Sequence, residues 1–306
     1  MKYTLTAVMI LSLTSVAFGA NSAGFAFLQI PTGARCVAMG GAFTAVRGDP
    51  MSLYWNPAGI AGVPGQRITS TYTNYMMDMQ AGFVGWVNPR SDDAIGVSIN
   101  YFYSGSMIRT TMANPTGTGE EFSNSSIAAA GTYARSIGQG FTLGVTGKFV
   151  YSSIDTYTGN GFLVDAGAIF TPAAIENLTL GLAVRNAGIQ TKAFYAENDP
   201  MPTEIAAGAS MDFIDGKLLI AADLSYPFHG DFNAAAGIEY TPLEMLSIRA
   251  GGNLHDKNAA DEAGGSIIDA LAFGAGTRWN NFSLDYAYKP FADLGNAHRI
   301  TVGIGL

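Results

Sequence analysis

Three histidines (His229, His255 and His298), one cysteine (Cys36) and many serines are the side chains able to act as bases, nucleophiles or metal ligands. His229 lies two residues from Asp231, and His255 precedes Asp256. Catalysis needs a nucleophile, a base and an orienting group in one place. No nucleophile elbow, zinc spacing or phosphate loop accompanies these residues. Gly274-Ala275-Gly276 lacks the third glycine of a dinucleotide fingerprint. Neighbouring His and Asp in a loop are ordinarily a solvated pair, and three scattered histidines lack ligand spacing. The expectation is a protein that is not an enzyme, with no metal and no cofactor.

A second polar set has more order. Lys148, Asp165, Arg185, Glu204, Asp212, Asp223, Glu239, Arg249, Arg278, Asp285, Lys289 and Arg299 fall on alternating positions opposite apolar ones. In Arg299 to Leu306, Ile300, Val302, Ile304 and Leu306 share one face, while Arg299, Thr301, Gly303 and Gly305 share the other. Phe282, Leu284, Tyr286 and Tyr288 alternate in the same way with Ser283, Asp285, Ala287 and Lys289. Period two is the signature of a strand with one apolar face. Charges of both signs on neighbouring strands then pair across the other face. Glu239 with Arg249, and Arg278 with Asp285, are the expected pairs.

Composition says where the apolar face goes. Only 13% of the 306 residues are charged, about half the ~25% usual in soluble domains. The chain has 38 Gly and 11% aromatics. The net charge of -8 and the lack of a basic run argue against nucleic acid as a partner. One cysteine makes no internal disulfide. Residues 1–20 read as a secretory signal: Lys2, an apolar stretch, then Ala17-Phe18-Gly19-Ala20 as a small-residue cleavage region. An exported chain with little charge, much glycine and no apolar run of about 18 residues beyond its signal fits the transmembrane β-barrel.

Fourteen strands can be counted, roughly at 67–79, 80–88, 93–109, 120–137, 141–157, 160–171, 177–187, 202–214, 217–227, 231–241, 246–256, 269–279, 282–290 and 297–306. Alternation is poorest in the first two. Short connections follow the even strands, and long ones follow several odd strands, at 110–119, 188–201 and 257–268. Short periplasmic turns and long external loops are the rule for this class. The pattern sets both termini on the periplasmic side. The organisation expected is a signal at 1–20, a separate segment at 21–66 and an outer-membrane barrel at 67–306.

Residues 21–66 do not alternate. Asp49-Pro50 is a cap and first-turn pair for a short helix, and Pro57 ends that helix near Asn56. Small residues around Gly40-Gly41 permit close packing. Met39, Phe43, Met51, Leu53, Tyr54 and Trp55 require burial. Such a segment ahead of a closed barrel is expected to plug its lumen as a helical hatch.

The stretch Gly33 to Gly59, GAR-x-x-AMGGAFTAV-x-x-DP-x-SLYWNPAG, resembles the N-terminal signature of the PorV/PorQ family, seen also in the UPF0164 group. Gly33, Arg35, Met39, Gly40, Gly41, Asp49, Pro50, Asn56, Pro57 and Ala58 carry the match. That family is similar in turn to the FadL-type hydrophobic-solute transporters, which share the Asn-Pro-Ala element. The resemblance implies a fourteen-stranded all-β outer-membrane barrel with an N-terminal hatch. It also implies one of two functions. The first is docking of secreted cargo and secretion-system proteins in a type IX-like system; the alternative is transport of hydrophobic small molecules. Short loops leave little chain for a solute-capture pocket and favour the first. Met76 and Met77 at the first external turn, and Phe194 and Tyr195 in the loop at 188–202, are candidate external binding residues. Outer-membrane lipid is the surrounding partner.

Overall fold

The computed structural model describes residues 23–254, 270–291 and 294–306. The expected signal at 1–20 and the loop expected at 257–268 lie outside the described residues. Fourteen strands form one closed antiparallel barrel, each pairing with its sequence neighbours and β1 with β14. They are β1 (Arg67–Asn74), β2 (Gln80–Pro89), β3 (Asp93–Ile108), β4 (Glu121–Gly138), β5 (Phe141–Ile154), β6 (Tyr157–Phe170) and β7 (Leu178–Lys192). Then follow β8 (Glu204–Phe213), β9 (Leu218–Pro227), β10 (Asn233–Leu243), β11 (Leu246–Asn253), β12 (Leu271–Trp279), β13 (Phe282–Pro290) and β14 (Asn296–Gly305). The count agrees with the alternation.

β1 and β2 alternate poorly in sequence because their inner face carries Thr69, Thr71 and Thr73, which are buried but not charged. The first connection is shorter work than expected of strand: β1 stops at Asn74, and 75–79 form a turn in which Met77 takes φ 53°. One end of the barrel carries the tight connections, such as 139–140 and 280–281, and is called here the turn end. The other, the loop end, carries 109–120 and 193–203. The wall is uneven. β3 to β7 run 14–18 residues, whereas the other strands run 8–11.

The barrel is apolar outside. Val97, Phe162, Leu182, Leu224, Ile248 and Leu284 point outward and are exposed. Its buried core is inside, and residues of the N-terminal segment make much of it. Phe43, Met39, Met51, Leu53 and Ile60 are almost wholly buried, in one cluster with Phe83, Val87 and Leu219 of the wall. Two short helices, α1 (Ala34–Ala38) and α2 (Ser52–Trp55), shape the segment. Asp49 Oδ1 accepts the Met51 amide at 2.8 Å ahead of α2, and Asn56 Oδ1 accepts the Ala58 amide just past Pro57, at 3.1 Å. The start of β1 and Leu306 both lie at the turn end, where the Leu306 amide donates to Gln66 O. The segment does not begin there. Gly24 N donates to Pro200 O at 2.9 Å, in the 193–203 connection at the loop end. The first described residues thus lie at the loop end, and the chain runs down through the barrel before β1 begins at the turn end; the N-terminus itself lies outside the described residues.

Inward glycines let that happen. A Cβ on Gly85 or Gly96 would come within 2.7 Å and 2.6 Å of the Leu53 methyls. On Gly181 it would strike the backbone at Thr44–Ala45, on Gly144 the Pro57–Ala58 peptide, and on Gly251 the Met39–Gly40 peptide. Gly131 on the outer face of β4 has nothing within 4 Å of its Cβ position. The two kinds of glycine predict opposite outcomes. Gly181→Val should destabilise the protein by about 1–3 kcal/mol or more, because a rigid backbone cannot yield to the overpacking. Gly131→Val should stay within about 0.5 kcal/mol. Thermal unfolding of the purified barrel, followed by the heat-dependent shift of its gel mobility, measures both.

Candidate functional site

Arg35 is the centre of the polar contact between segment and wall. It lies on α1. Its Nε and Nη2 donate to the two oxygens of Glu239 on β10 at 2.8 and 2.7 Å, and its Nη1 donates to Asp49 Oδ2 at 2.8 Å. This is the paired fork that a guanidinium offers a carboxylate and a lysine cannot. Arg249 on β11 donates its Nε to the same Glu239 and its Nη1 to Asp285 on β13, the latter at 2.7 Å. Two guanidinium groups and three carboxylates thus form one chain from α1 across β10, β11 and β13. Burial works to lower the Arg35 pKa, but Glu239 and Asp49 outweigh it and hold the group well above its ordinary value. Arg35 therefore stays charged.

Glu239 and Arg249 pair as expected. Arg278 and Asp285 do not: Asp285 faces Arg249, while Arg278 lies exposed near the turn end of β12, opposite Ser283. Parity placed Arg278 on the correct face, but its position at the strand end took it past its partner. Arg299 is only 1% exposed, with its guanidinium over the Tyr75 ring at 5.6 Å.

Other wall groups take up the segment's backbone. Asp223 Oδ2 on β9 accepts the amides of Phe43 and Thr44 at 2.9 and 2.8 Å. Asn56, fully buried, donates Nδ2 to Thr44 O at 2.7 Å and to Ala168 O of β6 at 3.3 Å. Arg185 on β7 donates to Trp55 O at 3.0 Å, lies over the Trp55 ring and pairs with Glu204 of β8 at 3.0 Å. Asn253 donates to Gly40 O, and Thr301 accepts the Ala34 amide. Gly33, Gly40 and Gly41 all take positive φ, which lets the chain reverse on either side of α1. Met39 fills the space that these turns enclose, fully buried. Pro50 closes the turn that leads into α2, where the Leu53 amide donates to its carbonyl.

β7 carries a bulge where the register with β6 shifts between Val164 and Ala166. Asn186 takes φ 57° there, so Arg185 and Asn186 both turn inward and are buried. Asp165 accepts the Asn186 amide at 2.8 Å. It also pairs with Lys148 at 2.6 Å, and Lys148 donates to Asn186 Oδ1 at 2.8 Å. An asparagine breaking the alternation of β7 was the only sequence sign of this.

Above the segment, toward the loop end, is a cavity of about 440 Å³. Leu28, Val37, Tyr54 and Trp55 of the segment line it. Met76, Phe291 and Leu294 border it from the connections, with Lys148, Arg185, Glu204 and Lys289 on the wall. The Tyr54 hydroxyl donates to Leu28 O at 2.7 Å, and burial pushes its pKa up. Burial also pushes up the Cys36 thiol, which makes it a poor nucleophile. His229 and Asp231 both border the cavity, but no ion pair joins them among the described residues. His255 is outside the described residues. No group of three potential metal ligands occurs among the described residues.

Of the external candidates, Met76 borders the cavity. Met77 and Tyr195 are exposed to 72% and 83%, with Tyr195 edge-on to Tyr157. Phe194 instead packs inward, its ring 5.7 Å from that of Phe25.

Residues 12–161 match the family described as Uncharacterised protein family (UPF0164). No curated protein matches the sequence. Among solved structures, the chain is similar to the Pseudomonas putida toluene transporter TodX, with TM-score 0.63 and 13% identity over 89% of this chain and 96% of that one. The Ralstonia pickettii toluene transporter TbuX gives TM-score 0.62 and 13% identity over 89% and 97%. A Pseudomonas aeruginosa FadL homologue gives TM-score 0.58 and 14% identity over 90% and 98%. At this identity the likeness is one of fold alone.

The charge chain predicts a large asymmetry between two charged wall residues, Glu239 and Arg278. Glu239→Gln leaves Arg35 and Arg249 buried with a neutral partner and should cost about 3–5 kcal/mol. Arg278→Gln should cost under about 0.5 kcal/mol. Equilibrium unfolding of the two variants beside the parent protein tests the pair.

Proposed function

We propose that the chain belongs to the UPF0164 family, is exported by its N-terminal signal and spans the outer membrane, with the turn end in the periplasm. Residues 23–66 act as a plug, and the cavity at the loop end receives a small hydrophobic molecule from outside. The apolar outer face supports membrane insertion, since closed barrels and helices alone satisfy their backbone in lipid. Among the described residues no helix is long and apolar enough to cross. Tyr240, Trp279 and Phe282 near the turn end, and Tyr151, Tyr157 and Tyr226 toward the loop end, suit the two interfacial girdles.

The single observation that carries the binding role is the cavity, of about 440 Å³, with aromatic and aliphatic lining from Tyr54, Trp55, Met76 and Phe291. That size fits a small ligand. The proteins of similar fold named as toluene transporters lend the same reading support. The test uses protein in lipid nanodiscs and a hydrophobic fluorophore, N-phenyl-1-naphthylamine. Saturable binding is expected, with affinity at least about tenfold weaker in Ser225→Trp, whose added ring fills the cavity; a tenfold loss corresponds to about 1.4 kcal/mol. Binding that Ser225→Trp leaves unchanged would place the ligand elsewhere and overturn the reading.

A second reading, a docking platform for secreted cargo in a type IX-like system, has its own support. Met77, Met112 and Tyr195 are exposed hydrophobic tips at the loop end. Such groups are common at protein-binding surfaces. Crosslinking in native outer membranes followed by mass spectrometry separates the two. Recovery of a large translocon or of secreted proteins supports docking, and the barrel recovered alone contradicts it.

A further inference from the structure

We infer that the cavity takes its ligand from the outer leaflet of the membrane, across a low lip of the wall made by the β9–β10 connection. The inference rests on the proposed ligand role and on the loop end facing outward.

The height of the wall carries it. A strand residue rises about 2.5 Å along the barrel axis, from a rise of ~3.3 Å and a tilt of about 40°. An apolar band about 25 Å tall therefore takes about ten residues. On β5, Phe141, Leu143, Val145, Phe149 and Tyr151 are exposed on the outer face, a rise of about 25 Å. The next outward position is Ser153, which pairs with Ser125 of β4 and Thr158 of β6. The outer face thus turns polar within one row. β4 continues to 18 residues, about 45 Å, so this side stands about 20 Å clear of the apolar band.

The opposite side is low. β9 has 10 residues and β10 has 11, about 25 Å, so it ends at the level of the outer interface. Its uppermost outward side chains are not polar. Tyr226, Phe228 and Phe232 are 48–50% exposed, and the rings of the first two lie 6.4 Å apart. The Phe228 amide donates to Thr203 O at 2.8 Å, which ties the lip to the β7–β8 connection.

The same stretch is a wall of the cavity. Ser225, Pro227, His229, Asp231 and Asn233 line it, alternating with the exposed aromatic residues. One layer of chain therefore separates the cavity from lipid at the height of the interface. The tall side is thicker. Leu28 and Gln29 line the cavity there, and Phe27 and Leu28 pack behind it on Ala128, Val150 and Leu163. Among the described residues of β3 to β6, Lys148 alone reaches the cavity. An apolar molecule concentrates in the bilayer, because removing its surface from water is favourable. At the low lip that store lies beside the cavity. Over the tall wall the path crosses about 20 Å of strand above the apolar band.

The experiment uses the exported protein in lipid nanodiscs, with N-phenyl-1-naphthylamine as the probe. The double variant Phe228→Asp, Phe232→Asp puts charge on the membrane side of the lip. Its stopped-flow association and dissociation should both slow by about fivefold or more, since a charge at the membrane edge opposes an apolar passage. Its Kd should change less than about twofold, because neither side chain lines the cavity. Ala113→Asp, in the β3–β4 connection, should leave rates and Kd unchanged. Saturable binding with an unchanged association rate in the double variant overturns the inference and leaves the cavity as a binding site. Absence of saturable binding in the parent protein removes the ligand role and the inference together. The height of the lip has its own readout, which needs no charged variant. Bimane on Phe232→Cys should be quenched by lipids brominated near the headgroup, and bimane on Ser153→Cys by iodide in the water; the native Cys36 is buried. Quenching of the Phe232→Cys label by iodide alone would put the lip above the membrane and overturn the inference.

Discussion

Where one backbone lies directly against another, no side chain can stand between them, and this constraint organises the inside of the barrel. Met39–Gly40, Thr44–Ala45 and Pro57–Ala58 press on β11, β7 and β5 at Gly251, Gly181 and Gly144. The inner wall is shaped by what it lacks. Glycine is a weak strand former. At Gly251, Gly181 and Gly144 it provides seats for one particular segment. The apolar side chains of that segment, Phe43, Leu53 and Ile60 among them, then supply a core that the thin wall does not contain by itself.

Close approach of backbones also creates polar groups that need partners, because a buried amide left unsatisfied is costly. Asp223, Arg185 and Asn253 meet that need from different strands of the ring, and Asn56 meets it from within the segment. Arg35 does the same for charge. Its fork on Glu239 continues through Arg249 to Asp285, so segment and wall share one electrostatic unit. These contacts are directional, whereas the apolar cluster is not. They fix which residue of the segment faces which strand.

Much of the fold is legible in the sequence because a barrel wall alternates strictly. The ends of β13 and the starts of β3, β5 and β11 fall where alternation and turn residues place them. β1 and β2 are obscure, since threonine is compatible with either face. The segment between Gly33 and Gly59 is legible as buried from its aromatics and methionines, but not its direction of travel. No local pattern tells which end of a barrel a preceding chain enters. The charge pairs are half legible. Parity gives the face of each residue, so Glu239 finds Arg249, whereas Arg278 fails to find Asp285 because its height along the strand differs. Arg35 as partner of Glu239 required a contact across 204 positions of sequence, which no spacing rule supplies. The Asp165–Lys148–Asn186 bulge was hidden for a related reason: it is a departure from the pattern that reveals everything else.

The physical picture is a barrel that holds its own N-terminal segment against its inner wall, proposed here to close it, with a cavity left open between that segment and the loop end. Passage along the lumen would need the segment to leave seats on β5, β7 and β11 together with the Arg35 fork. Electrical recording of the purified protein in planar lipid bilayers tests this closure most directly. A sealed lumen predicts single insertions that add no steady ion current at moderate voltage. A stable, ohmic conductance from the unmodified protein would contradict it.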